Sequence, residues 1–244
     1  KSISLPIKPS DFGQLKLGIT QEHDSRMLTD AAEALTQIAD ENRFIQLKET
    51  YGPEMVVGLM KLDGATVGAI ANSKEGVLST AGCKKAEQFV YFCDSFGIPV
   101  ITLTNVKEYA SSMEEEKTIS QAVADMMYAF ASADIPKINV ITGEAYGSAY
   151  VAMNSKHVGA DLVLALDSAK VGVMDATVAA QVMCQDEITK EADTKSALEE
   201  KAKEFEALQN GAEGAARRGY VDNVIEGTSV RKHLIYALQM FGMR

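Results

Sequence analysis

Apolar positions recur along this chain in two rhythms, one helical and one continuous or alternating, and the switches between them outline its elements. Leu28, Ala31, Ala32, Leu35 and Ile38 repeat at helical spacing, predicting a helix that opens near Asp24 or Ser25 and ends at residues 40–42. Phe44-Ile45-Gln46-Leu47 starts extended structure. Two β-rich runs, 55–62 and 66–72, flank Asp63-Gly64, a strong short-range hairpin signal. A polar loop over 73–82 leads into a helix with Ala86, Phe89, Val90 and Cys93 on its apolar face, broken by Phe96-Gly97-Ile98-Pro99. Val100-Ile101-Thr102-Leu103-Thr104 reads as a short strand buried on both faces. Residues 105–113 read as loop. The acidic run Glu114-Glu115-Glu116 reads as a solvated first turn, well placed for the dipole of a helix over 119–131. That helix turns Val123, Met126, Met127 and Phe130 into a core.

The second half continues the alternation. Val140, Ile141 and Thr142 end a buried strand, residues 143–147 form a glycine-punctuated turn, and 148–153 are small and apolar enough to open a buried helix. Strands are predicted at 161–166 and 169–174, then a helix at 176–184. Residues 187–208 read as one long charged helix, with Leu198, Ala202 and Phe205 on its apolar side, before Gly211 and Gly214 interrupt it. A turn and short strand over 217–225 and a closing helix over 230–241 complete the pattern. Residues 1–24 contain Pro6, Pro9, Gly13 and Gly18 with no sustained period, an arm or interdomain linker that leaves 25–244 as the folded domain. Short strands alternating with helices argue an α/β fold of small staggered ββα units. A Rossmann sheet fits less well, since no G-x-G-x-x-G follows a strand.

The stretch 140–153, V-I-T-G-E-A-Y-G-S-A-Y-V-A-M, carries the candidate chemistry. A strand that stops at glycine and opens a helix leaves N–H groups unpaired at the helix start. Together with the helix dipole these suit an oxygen that bears or develops negative charge. The candidate donors are the N–H groups of Ser148 and Ala149. A tight connection with no ligand would have the same spacing, and the pattern alone leaves both open.

Composition narrows the rest. The chain has 244 residues, 46% of them hydrophobic, and no apolar run long enough to span a bilayer. A net charge of −10 argues against a nucleic-acid groove and against an anionic membrane surface. Cys83, Cys93 and Cys184 are odd in number without a C-x-x-C pair, which fits free thiols in a reducing cytoplasm. His23, His157 and His233 lie far apart, so no local spacing suggests a metal site. Because the chain opens at Lys1 rather than methionine, it is expected to be a piece of a longer protein.

Several segments, in fixed order, resemble the C-terminal half of the β-subunit-type carboxyltransferase of biotin-dependent acyl-CoA carboxylases. They are Val56-Val57-Gly58, Gly68-Ala69-Ile70-Ala71-Asn72, Lys85-Ala86, Cys93-Asp94-Ser95-Phe96-Gly97-Ile98-Pro99-Val100, Ala145-Tyr146-Gly147-Ser148-Ala149-Tyr150, Gly159-Ala160-Asp161-Leu162 and Arg217-Arg218-Gly219-Tyr220-Val221-Asp222. The resemblance implies a crotonase-like ββα spiral (the ClpP/crotonase fold). It implies an acyl-CoA-binding N-terminal half elsewhere and active sites formed between subunits of a homo-oligomer. Biotin arrives on a carrier protein, and the negative oxygen left on its ureido ring when carbon dioxide departs is held by backbone N–H groups of Ser148 and Ala149. Tyr146, Gly147, Val151, Val106, Met174 and Asp175 are expected around biotin and the acyl-CoA substrate. Biotin nitrogen is thought to take the α-proton, so no metal and no side-chain base is required.

The chain departs from the family pattern at several points. Ser148 stands where glycine is usual, Asn105-Val106-Lys107-Glu108-Tyr109 replaces D-V-P-G-F, and Asp175 replaces a glycine after Val173-Met174. The resemblance implies carboxyl transfer onto a short acyl-CoA of the acetyl, propionyl or glutaconyl type, and since the same architecture serves both directions, the reverse, biotin-dependent decarboxylation of a carboxyacyl-CoA, stays open. The altered loop at 105–109 and Asp175 motivate a competitor, an assembly domain with a degenerated site. A stand-alone hydratase or isomerase using Glu144 or Glu108 as base is the third, weakest alternative, and Glu144 is expected to face solvent beside the turn.

Overall fold

A twisted sheet, antiparallel at one end and parallel through the rest, places the 140–153 stretch at its centre. The computed structural model describes residues 30–73, 75–189, 193–206 and 211–242. The arm predicted over 1–24 and the predicted helix start at Asp24 or Ser25 lie outside those residues.

Helix α1 (Ala31–Ile38) opens at Asp30, whose carboxylate accepts from the N–H groups of Ala32 and Glu33. Strand β1 (Phe44–Leu47) pairs antiparallel with β2 (Met55–Leu62), which turns through Asp63 and Gly64 into β3 (Ala65–Asn72). Both turn residues have positive φ, 51° and 80°, the geometry of the tight hairpin expected at this Asp-Gly. Strand β4 (Val77–Leu78) lies within the stretch predicted as loop. Helix α2 (Thr80–Ser95) follows, capped by Ser79, and the chain leaves it through Gly97 at φ 65°.

Strand β5 (Val100–Val106) runs two residues past its predicted end, and β6 (Glu108–Tyr109) pairs with β4. Glu115 does not serve the helix after it. Its carboxylate accepts from the Thr80 N–H at 2.7 Å, at the start of α2. Helix α3 (Ile119–Ser132) buries Met126 and Phe130, with Met127 packed against the core, as the helical spacing predicted.

Strand β7 (Lys137–Tyr146) is the longest among the described residues, and α4 (Gly147–Ala152) follows directly. Next come β8 (Leu162–Leu166), β9 (Lys170–Gly172) and α5 (Ala176–Met183). The predicted long charged helix is two helices, α6 (Gln185–Ile188) and α7 (Thr194–Phe205), the second capped by Asp193. Helix α8 (Ala212–Arg217), β10 (Asn223–Ile225) and α9 (Val230–Met240) close the chain.

The main sheet runs β1-β2-β3-β5-β7-β8-β10, with β9 pairing off β7. The first part of β7 lies between β5 and β8, whereas Glu144–Tyr146 pair with Lys170–Gly172 of β9. A register shift in β5 between Thr104 and Val106 accompanies this change of partner. Below it, Thr102, Thr104 and Asn139 are fully buried, and both threonine hydroxyls donate to the Asn139 side-chain oxygen, at 3.0 and 2.7 Å. The Asn139 amide donates onward to the Met153 carbonyl, so polar bonds inside the core tie β5 and β7 to the end of α4. Gly143, expected in a turn, is strand. A Cβ there would meet the Asn105 side-chain oxygen at 2.5 Å, so glycine answers a close approach rather than a bend.

Candidate active site

The end of β7 and the start of α4 build the floor of the site. Asn105 holds the strand end in place, its side-chain oxygen accepting from the Glu144 N–H at 3.0 Å and its amide donating to the Ser73 carbonyl at 3.2 Å. Tyr146 is the last extended residue, and Gly147 reverses the chain with φ 58°. A side chain at Gly147 would be strained by that φ and would meet the Val173 carbonyl at 3.1 Å. Helix α4 then starts without a side-chain cap. The N–H groups of Ser148 and Ala149 have no acceptor within the helix, and none among the other described backbone carbonyls.

Those N–H groups face a cleft of about 530 Å³. One wall is Lys107, Glu108 and Tyr109 of the β5–β6 segment; the opposite wall is Val173, Met174, Asp175 and Val178 at the start of α5. Glu144 and Tyr146 close it from the strand side. Tyr109 and Ser148 both line this cleft. Burial pushes the Tyr109 phenol above its ordinary pKa, with the Ser148 side chain opposing, so the phenol stays protonated through the neutral range.

The Tyr146 phenol is raised further, by burial first and then by the Glu144, Asp175 and Glu206 carboxylates. Lys170 answers part of that negative field through an ion pair with Glu206 at 2.5 Å. Asp175 is committed locally. Its carboxylate accepts from the Thr177 N–H at 2.8 Å and the Val178 N–H at 3.4 Å, capping α5.

Of the residues the resemblance implied, Ser148, Ala149, Tyr146, Gly147, Met174 and Asp175 line this cleft. Val106 is wholly buried, paired with Ala145 in the sheet, and Val151 packs half-buried against the core one turn into α4; neither lines it. Glu144 is half-buried in the cleft wall rather than turned out to solvent. The sequence reading assigned no role to Tyr109, Lys107, Val173 or Val178. Replacement of the usual turn proline and glycine by Lys107-Glu108-Tyr109 was the available signal.

Among the described residues no three His, Cys, Asp or Glu side chains are arranged to hold a metal. Cys83 and Cys93 are buried free thiols, each pushed up to about 12 by burial, and neither reaches the cleft. No helix among the described residues is long and apolar enough to cross a membrane.

Residues 20–242 match the family described as the carboxyl transferase domain. A propionyl-CoA carboxylase beta chain of Saccharopolyspora erythraea is 36% identical over 219 residues, covering 86% of this chain and 40% of that protein. A biotin-dependent acetyl-/propionyl-coenzyme A carboxylase beta5 subunit of Mycobacterium leprae is 34% identical over 86% of this chain and 40% of its own length. A methylmalonyl-CoA decarboxylase subunit alpha of Propionigenium modestum is 32% identical over 85% and 41%. The crystal structure of transcarboxylase 12S, a hexamer solved with methylmalonyl-coenzyme A bound, superposes with a TM-score of 0.84 at 34% identity. It covers 88% of this chain and 42% of that one. The chain thus spans about two-fifths of the length of the relatives it matches.

Proposed function

We propose, from the premise that the chain belongs to the carboxyl transferase domain family, that it is the biotin-side half of a carboxyltransferase working between biotin and a short-chain acyl-CoA. Its crotonase-like ββα fold is the one the resemblance implied. The observation that carries the reading is the cleft floor, where two backbone N–H groups stand free beside each other between a polar and an apolar wall.

That cleft suits biotin. The ligand's ring system is neutral with one polar urea edge, and the cleft offers paired donors at its floor with Val173, Met174 and Val178 along one side. Asp175, which stands where glycine is usual, has one carboxylate oxygen engaged with α5 through the Thr177 and Val178 N–H groups. When bound, biotin supplies the carrier chemistry for the carboxyl group. The chain's own contribution is electrostatic: the Ser148 and Ala149 N–H groups are pre-aimed at an oxygen that gains negative charge, and the apolar wall limits water.

The acyl-CoA-binding half, a biotin carrier protein and a second copy of the assembled subunit are the partners this reading requires. Residues 25–244 are read as its biotin-side domain. The buried thiols suit a cytoplasmic setting. The reverse direction, biotin-dependent decarboxylation of a carboxyacyl-CoA, draws support from the methylmalonyl-CoA decarboxylase relative.

The test is carboxyl transfer from malonyl-CoA, methylmalonyl-CoA and glutaconyl-CoA to free biotin or a biotinylated carrier, with an acyl-CoA-binding half supplied. Transfer is expected from at least one thioester. It is expected to fall by about 10²–10³-fold in Ser148→Pro, which removes one donor in the first helical turn, where proline is tolerated. Circular dichroism must show that this variant is folded. No transfer beside a half that works with another C-terminal domain would sink the enzyme reading and favour an assembly role.

A further inference from the structure

Helix α5 carries apolar residues on the side where a surface helix normally carries polar ones. Ala176, Ala179 and Ala180 are buried, the first and last of them in the cluster shared with α7, and this fixes which side faces outward. Val178 and Val182, one turn apart, lie on the outward side and are 47% and 68% exposed. Val173, just before the helix, is 77% exposed. Val173 and Val178 line the cleft, whereas Val182 lies beyond it. An apolar strip therefore starts in the cleft mouth and runs out along α5 onto the surface. Single exposed valines are ordinary. Three that lead out of a ligand cleft mark a contact. The opposite wall offers no such strip, since Lys107 and Glu108 there are charged and exposed.

Position and size together select what covers the strip. The ligand read for this cleft comes tethered to a carrier, so the carrier's own surface rests on the rim whenever biotin is inside. The strip spans about two turns of one helix, far short of the roughly 2,000 Å² that permanent subunit interfaces bury. It suits the small end of the range, occupied by partners that must leave again. A carrier that exchanges a carboxyl group at each visit is such a partner. We propose that the outward face of α5, with Val182 at its centre, is the docking surface for the apolar surface of a biotin carrier domain around its biotin attachment point. The proposal rests on the carboxyltransferase reading of the cleft and adds to it the place where the carrier sits.

The experiment compares the native chain, assembled with an acyl-CoA-binding half, with Val182→Gln and Val182→Ile. Glutamine removes the apolar surface without adding charge, and it is at least as good a helix former as valine. Circular dichroism confirms that both variants are folded. Transfer from the carboxyacyl-CoA is measured to two acceptors, free biotin and a biotinylated carrier domain. Titration calorimetry gives the Kd of the same carrier domain without biotin. In Val182→Gln, KM for the carrier and the Kd of its biotin-free form are expected to rise by about three- to tenfold. The constants for free biotin should stay native, because Val182 does not line the cleft. Val182→Ile, which keeps the apolar surface, should behave as native.

A carrier KM that is equal in native and Val182→Gln protein would overturn the proposal. Weaker transfer to both acceptors, with the two halves separating in analytical ultracentrifugation, would overturn it too and give the strip to the acyl-CoA-binding half. Altered self-association of the chain with unchanged carrier binding would give it to a second copy. If native protein transfers to neither acceptor, the reading of the cleft itself fails and the carrier site falls with it.

Discussion

Lys85 is the residue least like its surroundings. Its long side chain is buried completely, and its ammonium lies 3.4 Å from the Gly52 carbonyl, a long contact for a charge taken out of water. Burial pulls its pKa below 10.5, with the Glu54 carboxylate opposing. In the unfolded chain the lysine holds its proton up to its ordinary pKa, and in the folded chain it releases it earlier. Stability therefore rises with pH through the window just below 10.5, and at neutral pH the charge is a liability. Lys85→Met is expected to raise the urea midpoint at pH 7, by about 1 kcal/mol or more of stability, with the gain shrinking as pH approaches 10.5. A lowered midpoint would mean instead that the ammonium holds the Gly52–Glu54 turn together. The position was partly legible, since it belongs to the stripe Gly82, Ala86, Phe89, Cys93 that α2 buries. A reading that counted only apolar residues passed over it because lysine marks the solvent face in most helices.

At the scale of elements, α5 and α7 stand apart from the rest. They pack on each other through Ala176, Ala180, Ala202, Leu198 and Phe205, a small cluster separate from the main core. So little buried apolar surface makes this helical pair the region of lowest local stability beside the cleft. The Asp175 cap then carries unusual weight. Asp175→Ala should destabilise α5 by about 1 kcal/mol. Amide exchange in residues 176–183 should speed up while exchange in β7 and β8 stays as in the native protein; uniform acceleration would show that the pair is not a separate unit. The pattern of apolar positions found α5 but read α7 as part of one longer helix, and it found the β2–β3 hairpin almost to the residue, because that signal is local. It missed β4 and β6 because each is two residues long and exists only through pairing with the other. It read Gly143 as a turn because the reason for that glycine, the Asn105 side chain, lies 38 positions earlier in the chain. The cleft was half legible for the same reason. The 146–149 floor announces itself in sequence, whereas Tyr109 becomes part of it only once β6 is in place.

Across the whole molecule, single carboxylates tie together distant parts of the chain. Lys156 pairs with Asp222 at 2.7 Å, and Asp222 also accepts from the Val163 N–H at 2.8 Å, tying the end of the 217–222 segment to β8 just after the 159–162 segment. A second knot closes the opposite edge. Asp40, just after α1, accepts from the N–H groups of Asp63 and Gly64 at 3.0 and 2.8 Å, and it pairs with Arg231 of α9, which also donates to the Ile38 carbonyl. One carboxylate thus ties the end of α1, the tip of the β2–β3 hairpin and the closing helix. Burial alone would push its pKa up, but the Arg231 and backbone hydrogen bonds outweigh that and hold it below 3.8. A carboxylate depressed in the folded state contributes stability that is present in full above the unfolded value and is lost as pH falls through the folded one. Asp40→Asn is therefore expected to cost about 1–2 kcal/mol at pH 7, since the amide keeps the shape and at most part of the bonding but forfeits the charge. The difference between native and variant should narrow as pH drops below about 3.8, the ordinary value at which the unfolded chain takes up the proton that the native group still resists. Parallel urea titrations at pH 7, 4 and 3 check both parts. A gap that stays constant across them would mean that the knot works through shape rather than charge, and that Arg231 reads the Ile38 carbonyl alone.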